Sequence, residues 1–208
     1  LSSALLFAVF LILLILVTQF NAFSSPAIIL SSVVLSLAGV FLGIVISRND
    51  FVIIMTMIGI ISLAGIVVNN AIVLVDYTNL IRKRKREKLN LDELALSSDE
   101  DFRASVIEGG KTRLRPVLLT AITTILGLFP LASGLNINFF TLISDWDPQI
   151  FFGGDNVIFF KPMSLAIIYG LTFATFLTLV VVPIMYYSIY KFKVWLFEKL
   201  NWTIKIDL

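Results

Sequence analysis

Residues 51 to 80 read FVIIMTMIGIISLAGIVVNNAIVLVDYTNL, and no charged residue occurs among them before Asp76. A helix of about 20 apolar residues crosses the hydrocarbon core of a bilayer, so this segment is long enough to span. It nevertheless carries Asn69, Asn70 and Asp76. Polar and ionisable groups at such depth are costly and usually face a bundle interior, a partner or a water-filled path. The segment therefore reads as a helix with a task besides anchoring.

The rest of the chain fits the same solvent. Of its 208 residues, 58% are hydrophobic, against about 45–50% in soluble domains. The apolar excess is gathered in blocks, and no charge precedes Arg48. Five spans are expected, at about 1–18, 26–46, 51–80, 116–135 and 163–190. All are helical, because lone strands cannot satisfy their backbone in lipid. The fold class is thus an all-α, multi-pass membrane protein. Pro26 stands at a permitted helix start, and Pro130 predicts a kink in the fourth span. Leu1 lies inside an apolar run with no basic region or cleavage site before it, so the start does not read as a signal peptide. The chain is expected to be the C-terminal piece of something longer.

Cysteine and histidine are both absent. Without them there is no disulfide framework, thiol nucleophile or thiolate metal site, and the commonest general base and metal ligand is missing. No metal site, catalytic residue, organic cofactor or nucleic-acid partner is expected.

Lysine and arginine counts set orientation. Residues 81–115 hold ten: Arg82, Lys83, Arg84, Lys85, Arg86, Lys88, Arg103, Lys111, Arg113 and Arg115. The tail, 191–208, holds four: Lys191, Lys193, Lys199 and Lys205. The connection between spans two and three holds Arg48, and 136–162 holds Lys161. This predicts a cytoplasmic 81–115 loop and tail, an outer 136–162 loop, and an outward N-terminus. Within the cytoplasmic loop, RKRKREK reads as a cluster facing anionic headgroups or as solvated charge that fixes topology. The acidic LDELALSSDED after it predicts a short surface helix or a turn. In the outer loop, QIFFGGDNVIFF predicts a hairpin about Gly153-Gly154, or aromatic residues lying flat in the headgroup layer.

At about 100° per residue, Gly59, Ser62, Ile66, Asn69, Val73 and Asp76 share one face of the third span. Asn70 lies a quarter turn away. The pattern predicts a small, polar side toward protein and an apolar remainder toward lipid. The fourth span carries a matching face of Arg113, Val117, Thr120, Thr124, Gly127 and Leu131, with Thr123 at its edge. Hydroxyl and amide groups join helices by hydrogen bonds, and glycine permits close approach. Two readings stay open, namely helix glue and an ion or proton path. One carboxylate without histidine is a poor proton relay alone.

Three blocks carry a resemblance: GIVVNNAIVLVDYTN (65–79), GGKTRLRPVLLTAITTILGLFPLA (109–132) and GLTFATFLTLVVVPIMY (170–186). Their order and spacing resemble the C-terminal membrane half of a resistance-nodulation-division (RND) exporter. The resemblance implies the last five of twelve transmembrane helices, with a large outer segment and a six-helix half preceding Leu1. It implies a homotrimer in the bacterial inner membrane, driven by protons as coupling ion. It also implies a periplasmic adaptor and an outer-membrane channel as partners. By that resemblance Asn69, Asn70 and Thr120 match positions at the family's proton site and Arg113 one on its cytoplasmic approach; Asp76 and Thr124, on the polar faces of the third and fourth spans, are secondary candidates. The paired carboxylates themselves would lie in the other half. Asn69 stands where the drug-exporting branch has a lysine. Its amide can hydrogen-bond a carboxyl group but supplies no positive charge.

Other functions fit less of the pattern. A non-exporter of the same architecture, such as a protein-secretion motor subunit, would share the helices. A passive anchor or assembly module would need only their hydrophobicity. An intramembrane enzyme would need catalytic groups that the spans lack.

Overall fold

The computed structural model describes residues 2–20, 23–88, 99–138, 143–144, 146 and 149–200. Five helices long and apolar enough to cross a membrane are present among them. They are α1 (Ser2–Phe20), α2 (Ser24–Ser47), α3 (Ile53–Lys88), α4 (Asp99–Ser133) and α5 (Asp155–Leu200). The all-helical, five-span expectation is met. Pro26 falls in the first turn of α2, and Pro116, Pro130, Pro162 and Pro183 lie inside helices.

The helices outrun the spans read from hydropathy. The 36 residues of α3 reach about 54 Å at 1.5 Å per residue, well beyond a hydrocarbon core of about 30 Å. The expected 81–115 loop is therefore corrected: α3 continues through RKRKREK to Lys88, and α4 begins at Asp99. Arginine, lysine and glutamate are good helix formers, so charge ends the membrane span without ending the helix. Residues 91–98 of the acidic stretch lie outside the described residues. By the same logic α5 runs on from the fifth span to Leu200, absorbing the start of the expected tail; 201–208 lie outside the described residues.

The outer connection is also corrected. Phe151–Phe152 is a strand, but its antiparallel partner is Leu135–Asn136, with Leu135 opposite Phe152. We call these β2 and β1. The VIFF segment instead belongs to the start of α5. Gly153 and Gly154 both take positive φ, 101° and 107°, values that L side chains rarely adopt. The chain turns there, and Asp155 then opens α5 with a negative charge at the positive helix end. Asn136 Nδ2 donates to the Gly153 carbonyl, and the Gly153 amide donates to Gly134 O at 3.0 Å.

Packing centres on α5, which lies against α2, α3 and α4, while α1 leans on α2. Two clusters form the core. One, toward the basic end, gathers Ile28, Ile29, Ala71, Leu74, Phe102, Val182 and Tyr186 with others. The second, toward the opposite end, is built from Val40, Ile60, Leu63, Val67, Ala121, Ala166, Leu171 and Ala174. Here the backbones approach closely through Gly39 and Gly43 of α2. A Cβ on Gly43 would overlap Cβ and Cγ of Tyr169, and one on Gly39 would sit 2.7 Å from Phe173 Cδ1. This four-residue glycine spacing lets membrane helices pack backbone to backbone. Much of α1 is exposed apolar surface, including Leu6, Phe7, Phe10 and Ile15, as suits a lipid-facing helix.

Candidate functional site

The buried positions of α3 recur every three or four residues: Ile60, Leu63, Ala64, Val67, Val68, Ala71, Leu74, Val75, Thr78, Ile81 and Arg82. That is one continuous stripe on a 3.6-residue period, facing α2, α4 and α5. The expectation that the apolar remainder of α3 faces lipid is thereby corrected. Without water, van der Waals packing of apolar and small residues joins helices as well as polar groups do.

The polar face is open on this chain. Ser62, Asn69 and Asp76 are exposed, and Asn70 is half-buried. A Cβ on Gly65 would meet nothing within 4 Å. Gly59, at the far end of the expected face, departs from it: it is buried against the Met163 carbonyl of α5, 2.8 Å from where its Cβ would lie.

The α4 face is similar. Val117 is buried, Thr120 is exposed and Thr124 is half-buried, and Gly127 has open space beside it. The threonine hydroxyls serve their own helix. Thr120 Oγ1 donates to Val117 O at 2.9 Å, Thr124 Oγ1 to Thr120 O at 2.8 Å, and Thr123 Oγ1 to Leu119 O at 2.9 Å. A hydroxyl has one proton and two lone pairs. With the proton committed to the backbone, each presents an acceptor to whatever packs on this face.

Arg113 ties the two faces together. Its guanidinium carbon lies 4.3 Å from the centroid of the Tyr77 ring on α3, one residue beyond Asp76. Its Nε is buried with no hydrogen-bond partner among the described residues. Asp76 forms no ion pair there; among the described residues the one salt bridge is Lys85 Nζ to Glu108 Oε2, at 3.6 Å and largely solvated. The site residues named from sequence thus lie on α3 and α4, which pack together; Asn69, Asp76 and Thr120 are exposed, while Asn70, Arg113 and Thr124 are half-buried. Among the described residues no group of His, Cys, Asp or Glu is arranged to hold a metal ion.

Sequence reasoning missed a second polar centre at the basic end. Arg82 is only 6% exposed. Its Nη1 donates to Tyr186 Oη at 3.0 Å, and its guanidinium carbon lies 4.6 Å over the Phe102 ring. Tyr186 Oη in turn donates to Asn79 Oδ1, and Phe102 stacks on Tyr190 at 3.8 Å. Three helices therefore meet at one cation. The signal was helical phase: Arg82 continues the buried stripe through Val75 and Thr78.

Comparison with known proteins agrees with this architecture. The sequence model of the AcrB/AcrD/AcrF family matches residues 1–136. The swarming motility protein SwrC of Bacillus subtilis is 37% identical over 193 residues, covering 93% of this chain and 15% of that protein. The nickel and cobalt resistance protein CnrA of Cupriavidus metallidurans is 32% identical over 174 residues, covering 82% of this chain and 13% of its own length. The crystal structure of a heavy metal efflux pump superposes with a TM-score of 0.62 at 24% identity, over 88% of this chain and 14% of that one. The chain thus spans about one seventh of the proteins it matches. Its five helices form part of a transporter membrane domain, and it belongs to the AcrB/AcrD/AcrF family of resistance-nodulation-division transporters.

Proposed function

We propose that this chain is the membrane half of a proton-driven RND efflux transporter that exports drugs or other amphiphilic compounds. The observation that carries the proposal is the unpartnered polar face shared by α3 and α4. Asn69 and Thr120 sit exposed on adjoining helices, with Asn70 half-buried beside them and Arg113 further toward the basic end of α4. In this reading the other half of the polypeptide packs on that face and brings the carboxylates. The outer domains handle substrate, and the protein works as an inner-membrane homotrimer with a periplasmic adaptor and an outer-membrane channel. The C-terminus is cytoplasmic.

The hydrogen-bond inventory gives the coupling a direction. Thr120 offers lone pairs, so it accepts from a protonated carboxylic acid and opposes a bare carboxylate. The Asn69 amide can both donate and accept, so it can follow the carboxyl group through both states. Protonation thereby changes which bonds exist between the halves. A difference in bonding between two states is what shifts a conformational equilibrium.

Thr120→Val in the full-length protein keeps shape and removes the acceptor. Loss of one hydrogen bond, about 0.5–1.5 kcal/mol, corresponds to roughly a two- to tenfold fall in export rate. Dye efflux from energised cells reads this, with membrane abundance measured in parallel. Asn69→Leu should fall further, because it loses both roles. Wild-type export by both variants at equal abundance would remove this face from the mechanism. Export that survives collapse of the proton gradient would remove the coupling ion.

A further inference from the structure

At the end of the bundle poor in lysine and arginine, the start of α3 and the first turns of α5 enclose a cavity with the end of α2. Its volume is about 360 Å³, within the ~300–1,000 Å³ typical of ligand sites. Ile44, Val52 and Pro162 supply apolar wall, and Asn49, Asp50, Thr56 and Lys161 supply the polar groups.

The wall is pre-formed. Arg48 takes a left-handed conformation, φ 53°, to close α2, which turns Asn49 and Asp50 onto the rim. Asn49 Nδ2 is held by Tyr169 Oη at 3.1 Å and Ser47 Oγ at 2.9 Å. Thr56 is the anomaly. It is 1% exposed, and its hydroxyl has no hydrogen-bond partner among the described residues. Other buried threonines, such as Thr78 and Thr175, donate to the carbonyl four residues back. Thr56 does so only through its amide, to Val52 O at 2.9 Å. A buried hydroxyl without a partner is costly, and its residue lines the cavity.

Asp50 and Lys161 are both exposed and do not pair with each other. Opposite charges held apart on one rim above apolar wall complement a zwitterion with a hydrocarbon tail. The lining contains no aromatic ring, whereas quaternary ammonium groups are recognised by aromatic faces. A primary ammonium suits the Asp50 carboxylate better. Exposed Ile158, Phe159 and Phe160 follow directly on α5, and Phe51 stacks on Phe41 beside α3. Aromatic residues concentrate at the headgroup layer, so the mouth opens where lipid headgroups lie.

We infer that this cavity binds a phospholipid of the phosphoethanolamine type from the adjoining leaflet, its phosphate at Lys161, its ammonium at Asp50 and its proximal chain on the apolar wall. Native mass spectrometry of the full-length protein, released from nanodiscs holding equal ethanolamine, choline and glycerol phospholipids, tests it. The wild type should retain the ethanolamine lipid preferentially. Asp50→Asn should lose that preference, and Lys161→Gln should lower retention of all three, each by about tenfold, as expected for one charged hydrogen bond. Both positions are at the surface, so these variants keep the fold. Thr56→Val should also retain less lipid. A merely structural Thr56 would give a variant equally loaded and more heat-stable, against the proposal. Equal retention of the three lipids by the wild type would overturn it. So would displacement by tail-less glycerophosphoethanolamine at matched concentration, which would assign the site to a soluble zwitterion.

Discussion

Gly43→Leu is expected to abolish folded full-length protein, and Gly43→Ala to weaken it measurably. The Gly43 position faces the root of the Tyr169 side chain, and an added Cβ overlaps Tyr169 Cβ and Cγ. Tyr169 Cβ is fixed by the α5 backbone, so a rotamer change can move Cγ but not Cβ, and the helices must part. Overpacking of this kind costs about 1–3 kcal/mol. Alanine recovers about 1 kcal/mol in helix propensity over glycine, which leaves a net loss of about 0–2 kcal/mol for Gly43→Ala. Leucine adds three more carbons to the same contact and exceeds what local shifts absorb. The lever is long, because α5 is the helix against which α2, α3 and α4 all pack. Gly39 and Gly170 lie in the same seam, Gly170 against Leu63 and Val40, so their leucine variants should fail likewise. Gly110 has open space around it, and Gly110→Ala should be neutral or gain up to about 1 kcal/mol. Monodisperse yield and thermal unfolding in detergent check the series. A Gly43→Leu protein with wild-type yield and melting temperature would show that the α2–α5 seam is not close-packed.

That seam shows where hydropathy stops being informative. The five spans were legible because each is an apolar block of membrane length. Gly39 and Gly43 sit in such a block and change its hydropathy little. Their importance comes from what lies opposite, Tyr169 and Phe173, more than a hundred residues away in sequence. The strand at Phe151–Phe152 was legible from its aromatic pair. Its partner was not, because the local hairpin with VIFF competes with pairing to Leu135–Asn136. Asp155 and the two positive-φ glycines decide that competition by starting α5 at once.

The candidate site was readable as a set of residue types and a helical phase. Asn69 and Asp76 do share a side, and Thr120 and Thr124 share one on α4. Which side was open was not readable. Periodicity locates two faces on α3 but does not say which one the rest of this chain occupies. The eleven buried positions from Ile60 to Arg82 take the apolar face and leave the amides to the surface. The threonine hydroxyls were expected to bridge helices, yet each donates to its own backbone. In a helix the carbonyl three or four residues back is always within reach, and a cross-helix partner is not.

Arg82 gives the sharpest case of a residue type misread through its neighbours, and its substitutions should rank in an unusual order. Arg82→Ala is expected to destabilise by about 2–4 kcal/mol. It removes a charged hydrogen bond to Tyr186, about 1.5–3 kcal/mol, and a cation–π contact with Phe102, about 0.5–2 kcal/mol. It also empties space at the junction of α3, α4 and α5. Relief of a buried charge offsets part of this, because Arg82 faces no carboxylate among the described residues and its Nε has no partner there. Methionine keeps the aliphatic stem against Phe102 and drops the charge, so Arg82→Met should cost only about 1 kcal/mol. Lysine keeps the charge but loses the planar group that lies 4.6 Å over the ring and donates to Tyr186 in a fixed fork. It buries a strongly hydrated ammonium in an aromatic box. Arg82→Lys should therefore be less stable than Arg82→Met, although it is the conservative change by charge. Tyr186→Phe preserves the stack with Phe102, at 5.5 Å, and removes the hydroxyl that joins Arg82 to Asn79. Combined with Arg82→Met it should show a coupling of about 1 kcal/mol in a double-mutant cycle. Thermal unfolding of the purified full-length variants gives the order. If lysine outranks methionine, net charge at the membrane edge is what Arg82 contributes, and the planar, aromatic-stacked role assigned to it is wrong.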